Sequence, residues 1–325
     1  MQALSQSDLC SHGFIQLWSP DTRAIRAEII AGLQAGQAAI APKYFYDALG
    51  SRLFEAVCEL PEYYPTRTEA AVLESSLMQI ARAVGRGGTL IDLGAGNCAK
   101  AARLLPALQP SQYVPVDISV DFLAEAVERL RHRFPRLPIL GIGMDFAEEL
   151  ALPEAVATHQ RLFFYPGSSI GNFTPSQALH LLRRIRAAGG DLLIGVDLVK
   201  DMAPLEAAYD DALGVTAAFN RNLLLHVNRL IGADFAVEDW QHRAFFNAAE
   251  SRIEMHLVAR RDLAVRWQGG ERAFVHGESI HTESSYKYTR ERFFSLLEAA
   301  GFRHLRSWED PRGWFMVCLA SEERR

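Results

Sequence analysis

The 325-residue sequence has few cysteines, and no pattern joins them. Cys10, Cys58, Cys98 and Cys318 are widely separated, and none belongs to a CxxC pair or to a His/Cys cluster with zinc-ligand spacing. This argues against a disulfide framework and a structural metal, and we predict no metal site. The expected compartment is the reducing cytoplasm.

No metal or base role is predicted for the histidines of the second half of the chain either, since they lack HExxH-type spacing: His226, His242, His256, His276 and His281.

The sequence also lacks long apolar runs and an excess of positive charge. It contains no run of 18 apolar residues and no apolar core of a signal peptide near its start, so neither a membrane span nor secretion is predicted. Lysine and arginine together number 34 against 39 aspartates and glutamates, which gives a formal charge of −5 and no basic footprint for nucleic acid. We expect a monomer that acts on a small molecule, with no nucleic acid or membrane as partner.

What the chain does contain is ordinary globular material with an alternating strand and helix pattern. Hydrophobic residues make up 49% of the sequence, enough for one large or two moderate domains. Apolar runs that predict parallel strands occur at 89–93, 113–118, 139–144, 162–165 and 192–198. Helical patterns lie between them at 99–108, 120–134 and 176–188, with an ill-defined segment at 148–156. This alternation predicts an α/β fold with a doubly wound, Rossmann-like sheet, whose ligands bind beyond the carboxyl ends of the strands.

Segments of a different kind flank this alternating region. A helical pattern covers 21–40, and the aromatic, proline-containing stretch at 42–67 suits a pocket wall or lid. After Lys200 the rhythm breaks into helices and antiparallel strands. We interpret this part as a separate unit inserted into the sheet domain, which resumes with a helix at 290–300 and a hairpin.

A glycine turn follows the first strand of the alternating region. Gly94 and Gly96 stand between the predicted strand and the next helix, so a ligand can approach the backbone closely beside the helix N-terminus. With Ala99 the two glycines also satisfy the G-x-G-x-x-A dinucleotide fingerprint. Asp117, 21 residues after Gly96, lies where a ribose-binding acid is expected. At this point a nicotinamide-dependent enzyme fits as well as a methyltransferase.

Two further features favour S-adenosylmethionine as the cofactor. Asp145 and Phe146 follow the third predicted strand and offer a hydrogen-bond acceptor beside an aromatic face, which suits an adenine ring. The C-terminal helix and hairpin form the sheet edge typical of S-adenosylmethionine methyltransferases, whereas dinucleotide enzymes place a second mononucleotide-binding half there. Lys100, on the first turn of the helix after the glycines, is expected to reach the methionine carboxylate. Taken singly, Asp145 also suits a helix N-cap and Asp117 a strand-end turn.

Longer strings extend over nearly the whole chain and carry a more specific signal. They occur in order at residues 42–47, 60–67, 166–173, 197–201, 207–211, 214–222, 253–255 and 282–285. In these strings the sequence resembles the L-histidine Nα-methyltransferases of ergothioneine biosynthesis, the EgtD family.

The resemblance implies a Rossmann-like class I methyltransferase domain at 65–199 and 289–325, and a discontinuous substrate-binding domain at 1–64 and 200–288. It places the histidine carboxylate near Asn172 and Tyr209, and the imidazole near Tyr63, Glu283 and Ser285. Further residues of the implied pocket are Tyr46, Phe54, Gly167, Ser169 and Met255. Those implied for S-adenosylmethionine are Gly94, Lys100, Asp117, Asp145 and Phe146. The reaction implied is Nα-methylation of L-histidine, in three successive transfers that give the betaine hercynine.

The residue types suit this chemistry. A carboxylate and a hydroxyl, as in Glu283 and Ser285, match the two nitrogens of an imidazole, and an amide with a tyrosine hydroxyl can hold a carboxylate. Methyl transfer from a sulfonium depends mainly on holding a neutral amine in line with the methyl carbon. Tyr46 is our candidate for accepting the proton of that amine, and no other catalytic residue is assigned.

Two other functions stay open at this stage. One is methylation of another amino acid or of a tryptophan-type amine, although Glu283 and Met255 favour histidine because an apolar residue at either position would favour an indole. The other is a non-catalytic S-adenosylmethionine-binding protein, against which the intact glycine turn and Asp117 argue. Ser169 departs from the family, in which threonine is common at this position.

Overall fold

The computed structural model describes residues 13–18 and 21–321, which form two compact units. Unit 1 comprises residues 13–18, 65–199 and 288–321, and unit 2 comprises residues 21–64 and 200–287. The substrate-binding domain was predicted to start at residue 1. The structure differs there, because Phe14–Gln16 pair with a strand of unit 1. Residues 1–12 and 19–20 lie outside the described part of the chain.

The α-helices of the described residues are α1 (Thr22–Gln34), α2 (Ala48–Glu59), α3 (Tyr64–Val84), α4 (Ala99–Leu108), α5 (Val120–Arg133), α6 (Pro175–Ala187), α7 (Met202–Ala207), α8 (Val215–Ile231) and α9 (Arg290–Ala299). Short 3-10 helices occur at Pro42–Phe45, Ser169–Asn172 and Val237–Asp239. Within these described ranges, no helix is long and apolar enough to cross a lipid bilayer.

The strands of unit 1 are β1 (Phe14–Gln16), β3 (Thr89–Leu93), β4 (Gln112–Asp117), β5 (Gly141–Gly143), β6 (Arg161–Tyr165), β7 (Asp191–Asp197), β13 (His304–Glu309) and β14 (Phe315–Ser321). Those of unit 2 are β2 (Ala38–Ala39), β8 (Trp240–Asn247), β9 (Arg252–Ala259), β10 (Leu263–Trp267), β11 (Gly270–Phe274) and β12 (Ser279–Tyr286).

Unit 1 is built on one eight-stranded sheet with the order β1-β5-β4-β3-β6-β7-β14-β13. The strands from β1 to β7 in this order are parallel, whereas β14 joins β7 antiparallel and carries β13 at the edge. The chain proceeds from β3 to β4 on one side and later adds β6 on the other side of β3. The carboxyl end of β3 is therefore the switch point at which open α/β sheets bind their ligands.

The core of unit 1 lies between this sheet and its helices. β3 and β7 are buried along their whole length, as expected for parallel strands covered on both faces. Apolar side chains of the crossover helices complete this core, among them Leu105 on α4 and Leu123 on α5, which pack in one cluster with Leu193 on β7. The core fixes the strand ends and hence the turns that follow them.

Unit 2 contains a four-stranded sheet with the order β2-β12-β9-β8 and a separate hairpin of β10 and β11. In the antiparallel ladder of β12 and β9, His281 pairs with His256 and Glu283 pairs with Met255. Thr282 is the extra residue between these two pairs, which makes a β-bulge. Glu283 and Ser285, two residues apart after the bulge, share one face of β12. The bulge brings His281 to the opposite face with Ser284, to which its Nε2 lies at 3.0 Å.

Two predicted helical segments differ in the structure. The first helix starts where predicted, since Asp21 accepts hydrogen bonds from the backbone N–H of Arg23 and Ala24, but it ends at Gln34 and not at residue 40. The following residues are extended because Ala38–Ala39 pair with β12, a contact that helical periodicity does not reveal. The ill-defined segment at 148–156 contains no helix.

Candidate active site

The glycine turn at the end of β3 presents open backbone. Gly94 and Gly96 have φ angles of +67° and +51°, in the left-handed region that favours glycine. The backbone N–H groups of Gly94 and Ala95 donate to the carbonyl oxygen of Val116 at 2.9 and 3.1 Å, which ties the turn to β4. Among the described residues, a Cβ on Gly96 would meet nothing within 4 Å, and one on Gly94 would meet only Phe146 Cζ at 3.9 Å. A ligand can therefore lie directly against this backbone.

Asp117 ends the neighbouring strand β4 and faces the same turn. Its Oδ2 accepts a hydrogen bond from the Gly96 N–H at 2.8 Å, and its Oδ1 accepts one from the Ser119 N–H at 2.8 Å. Burial raises the pKa of Asp117, whereas these backbone hydrogen bonds favour the charged form. Further hydrogen bonds from the Ile118 backbone and the Ser119 side chain also favour the charged form, so the Asp117 carboxylate is fixed against the glycine turn.

Asp145 and Phe146 follow β5, the next strand along this edge of the sheet. Asp145 Oδ1 accepts a hydrogen bond from the Ala147 N–H at 3.1 Å in a turn, and not at the helix N-cap that its position also suited. The Phe146 ring packs edge to face on Tyr165 with centroids 5.6 Å apart, and the same ring lies beside Gly94. The predicted adenine residues and the glycine turn thus lie together in unit 1.

Lys100 on α4 is held by a buried carboxylate. Lys100 Nζ lies 2.6 Å from Glu69 Oε2, and the backbone N–H of Gly167 donates to Glu69 Oε1 at 2.7 Å. Gly195 on β7 makes room for this carboxylate, because a Cβ there would overlap Glu69 Oε1. Sequence reasoning missed Glu69, although a carboxylate on the inward face of the apolar helix α3 is an available signal.

The segment that contains Asn172 is a tight turn after β6. Gly167 and Ser168 have φ angles of +81° and +59°, and Ser168 Oγ accepts a hydrogen bond from the Asp197 N–H at 2.9 Å. This contact with β7 directs the chain into the 3-10 helix Ser169–Asn172. Asn172 is half-buried at the end of that helix and belongs to unit 1.

Unit 2 contributes a chain of aromatic side chains. Neighbouring ring centroids lie 5.7 Å apart for Tyr46 and Phe54, 6.2 Å for Phe54 and Tyr63, and 6.1 Å for Tyr63 and Tyr209. Burial raises the pKa of the Tyr63 hydroxyl well above its usual value, and Tyr209 and Glu283 act in the same direction. Tyr63 therefore keeps its proton and can serve as a hydrogen-bond donor.

Beside these rings lie the residues that the resemblance assigns to the imidazole. Glu283 on β12 stands opposite Met255 on β9, and Ser285 is the next residue on the same strand face. Ser285 Oγ accepts a hydrogen bond from the Tyr209 hydroxyl at 2.8 Å. Sequence reasoning missed Lys287, which is buried and donates to Ser285 Oγ at 2.9 Å and to Tyr209 Oη at 3.1 Å. Its position two residues after Ser285 was the available signal.

The other strand face carries a group that sequence spacing did not reveal. Within the described part of the chain, Glu254, His256 and His281 bring metal-ligand atoms within 4.8 Å of one another. His256 Nε2 lies 2.9 Å from Glu254 Oε2, and Arg252 Nε donates to Glu254 Oε1 at 2.8 Å. Burial opposes ionisation of Glu254, but these contacts and one from Asn247 hold its pKa at about 2. Because Arg252 already supplies a positive charge to this carboxylate, we interpret the group as a hydrogen-bonded network.

The strand order of unit 1, with antiparallel β14 next to the edge strand β13, and the glycine turn at its switch point define a class I S-adenosylmethionine methyltransferase. Residues 25–322 match the family of histidine-specific, S-adenosylmethionine-dependent methyltransferases. The chain belongs to this family. Its membership decides between the two cofactors that the glycine turn alone left open.

Individual relatives cover most of the chain. It is 41% identical over 306 residues to the histidine N-alpha-methyltransferase of Mycolicibacterium smegmatis, a match that covers 91% of this chain and 94% of that protein. Its identity to the protein of the same name from Mycobacterium tuberculosis is 40% over 308 residues, with 92% and 95% covered. Ergothioneine biosynthesis protein 1 of Neurospora crassa is 31% identical over 287 residues, which are 85% of this chain and 32% of that longer protein.

Proposed function

We propose that this chain methylates the α-amine of L-histidine with S-adenosylmethionine, in three transfers that give hercynine, the first step of ergothioneine biosynthesis. The observation that carries the substrate assignment is the grouping of Glu283, Ser285 and Tyr209 in unit 2, with Met255 opposite Glu283 in the strand ladder. A carboxylate and a hydroxyl two residues apart on one strand face match the two ring nitrogens of histidine.

The residues around the glycine turn fit S-adenosylmethionine. The backbone at Gly94 and Gly96 is open to a ligand, Asp117 would accept the ribose hydroxyls, and Asp145 with Phe146 would take the adenine. Lys100, oriented by its ion pair with Glu69, would bind the methionine carboxylate. When bound, the cofactor supplies an electrophilic methyl group on its sulfonium.

On the substrate side, the residues of this chain hold and orient the amino acid. In unit 2, Tyr63, Glu283 and Ser285 would bind the imidazole, and Tyr209, whose hydroxyl proton goes to Ser285, would lie near the α-carboxylate. In unit 1, the Asn172 amide would donate to that carboxylate. The amine attacks only when it is neutral. Holding its lone pair in line with the methyl group supplies most of the catalysis. Tyr46, which is half-buried, is the proposed acceptor for the amine proton, a role that its oxygen can take only as the phenolate.

The test is to incubate the purified chain with S-adenosylmethionine and each of the twenty amino acids, and to determine the masses of the products. We expect histidine to appear with one, two and three methyl groups, with fragmentation assigning them to the α-nitrogen. Methylation of tryptophan but not of histidine would overturn the substrate assignment. Absence of any methylated product would overturn the proposed activity.

Two glutamate variants sharpen the same assay. Glu283→Gln removes the charge from the hydrogen bond to the imidazole, so the KM for histidine should rise by about 10- to 100-fold. Glu271→Gln makes the same chemical change at an exposed position of β11 and should leave that KM unchanged. Equal KM values in the two variants would remove Glu283 from the site.

We also propose that the chain works as a monomer in the cytoplasm. The cysteines of the described residues, Cys58, Cys98 and Cys318, are not joined to one another by disulfides, which suits a reducing compartment. Light scattering on the assayed preparation checks the oligomeric state, and a dimer mass would overturn that part of the proposal.

A further inference from the structure

Ser285, Tyr209 and Lys287 form a closed triangle of hydrogen bonds inside unit 2. Tyr209 donates its hydroxyl proton to Ser285 Oγ at 2.8 Å, and Lys287 Nζ donates to Ser285 Oγ at 2.9 Å and to Tyr209 Oη at 3.1 Å. The three side chains belong to residues that are at most 7% exposed. Water therefore has little access to rearrange the protons of this triangle.

The hydrogen bonds of the triangle determine whether the Ser285 hydroxyl donates to a ligand or accepts from it. An ammonium group donates hydrogen bonds and accepts none, and a serine hydroxyl has one proton and two lone pairs. Tyr209 and Lys287 fill both lone pairs of Ser285 Oγ. Ser285 can therefore interact with a further group only by donating its own proton.

We propose that Lys287 is a positioning residue that holds Ser285 as a hydrogen-bond donor and thereby selects the neutral imidazole of the substrate. This inference rests on the proposed function, in which Glu283 and Ser285 contact the two ring nitrogens. A carboxylate only accepts, so Glu283 takes the ring N–H, while Ser285 donates to the nitrogen that carries a lone pair. An imidazolium has two N–H groups and no lone pair, so one of them would face the Ser285 proton and the positive charge of Lys287.

The other titratable groups around this point come from several segments of unit 2. Tyr46, Cys58 and Tyr63 precede β12, Tyr209 follows α7, and Glu283 lies on β12 itself. Tyr46, Cys58, Tyr209 and Glu283 each raise the pKa of Tyr63. Glu283 alone would favour the imidazolium, since it offers a negative charge. Lys287 opposes that preference in two ways: its positive charge repels the imidazolium, and its hydrogen bond to Ser285 keeps Ser285 a donor.

The experiment measures histidine affinity by calorimetry at pH 7.5 and pH 5.5 with S-adenosylhomocysteine present. An ordinary imidazole pKa of about 6.5 leaves roughly a tenth of histidine neutral at pH 5.5, so the Kd of the unmodified chain should rise about tenfold. Lys287→Met frees a lone pair of Ser285 and removes the opposing charge. In this variant we expect the Kd ratio between the two pH values to fall below about threefold. At pH 7.5 its affinity should be about tenfold weaker than that of the unmodified chain, because Ser285 loses its fixed orientation.

Two further variants make the result specific. Tyr209→Phe frees the other lone pair of Ser285 but keeps the charge of Lys287, so its Kd ratio should fall to a value between those of Lys287→Met and the unmodified chain. If Lys287→Met does not fold, Lys287→Gln, which keeps an N–H donor but carries no charge, takes its place, and its Kd ratio should also fall. Arg266→Met removes an exposed positive charge on β10 and should keep the tenfold ratio.

The outcomes distinguish a failure of the proposed function from a failure of the role of Lys287. If the unmodified chain neither binds nor methylates histidine, the proposed function fails. If it does both, and the folded Lys287→Met and Tyr209→Phe variants keep the tenfold ratio, the role of Lys287 is overturned while the function stands.

Discussion

Asp92 lies inside unit 1 on β3, two residues before the glycine turn. Its side chain is buried and accepts a hydrogen bond from the Tyr113 hydroxyl at 2.7 Å through Oδ2. Its Oδ1 has no hydrogen-bond partner among the described residues. Burial raises the pKa of Asp92 to about 7, although the hydrogen bond from Tyr113 favours the charged form. A carboxyl group beneath the proposed cofactor site thus titrates near neutral pH.

This pKa predicts that Asp92 makes the fold less stable as the pH rises. Between the usual value of 3.8 and about 7, the native state keeps a proton that the unfolded chain has lost, so the free energy of unfolding falls across this range. The shift corresponds to about 4 kcal/mol above pH 7. Asp92→Asn keeps an acceptor for Tyr113 and carries no charge. Urea unfolding should show the variant gaining stability over the unmodified chain at pH 8, with a smaller gain at pH 5; equal differences at both pH values would contradict the assignment.

At the scale of elements, Asn220 joins helix α8 to three strands of unit 2. Its side-chain N–H group donates to the carbonyl oxygen of His256 at 3.1 Å, and its Nδ2 lies 2.8 Å from His242 Nδ1. Its Oδ1 accepts from the Thr282 hydroxyl at 2.8 Å. His242 Nε2 lies 2.8 Å from the carbonyl oxygen of Tyr209, so that nitrogen carries the proton and Nδ1 accepts from Asn220. One amide therefore connects α8 with β8, β9 and the bulge of β12.

Asn220→Leu should break this connection. It leaves the buried Nδ1 of His242 without its donor, while the Thr282 hydroxyl keeps the carbonyl oxygen of Met255 at 3.0 Å as a partner. We therefore expect the free energy of unfolding to fall by about 1–3 kcal/mol. Leu225→Ala, at a more exposed position of the same helix, should cost less than about 1 kcal/mol. Thermal unfolding of the two variants in parallel checks the difference, and similar losses would show that the Asn220 hydrogen bonds contribute little.

The elements that sequence could predict are those defined by local pattern. β3 and β6 are short apolar runs bounded by turn residues, and the structure confirms them within one residue of the predicted limits. β1 and β2 could not be predicted, because segments of three and two residues become strands only by pairing with distant partners. The same holds at the site. The place of Asp117 at a strand end follows from local pattern, whereas the contact between Glu69 and Lys100 depends on how α3 packs.

At the scale of the whole molecule, buried histidines act in the opposite pH direction from Asp92. Burial lowers the pKa of His281 to about 4, and the neighbouring His256 contributes to the shift. Burial also lowers the pKa of His242. Both side chains are neutral in the native state but gain a proton on unfolding below their usual pKa of 6.5. Their contribution to stability is therefore complete above pH 6.5 and is lost as the pH falls below that value, for His281 down to about 4.

Between about pH 4 and pH 6.5 the two effects oppose each other, because the histidines lower the free energy of unfolding as the pH falls whereas Asp92 lowers it as the pH rises. His281→Gln removes part of the histidine effect, so the stability of the variant relative to the unmodified chain should rise as the pH falls from 6.5 to 4.5 and stay constant between pH 7 and pH 8.5. Calorimetric unfolding of both proteins across pH 4.5 to 8.5 measures this difference. A difference that does not change below pH 6.5 would exclude His281 as a source of the pH dependence.

The bulge at Thr282 has a consequence for how this strand can change in evolution. It divides β12 into two stretches with opposite phase, so that Glu283 and Ser285 face one way while His281 and Ser284 face the other. Single substitutions on either face leave the other untouched. Loss of one codon at Thr282 would remove the phase change and turn either the imidazole-binding pair or the histidine network to the wrong side. In β12, evolution can therefore exchange side chains more easily than it can insert or delete a residue.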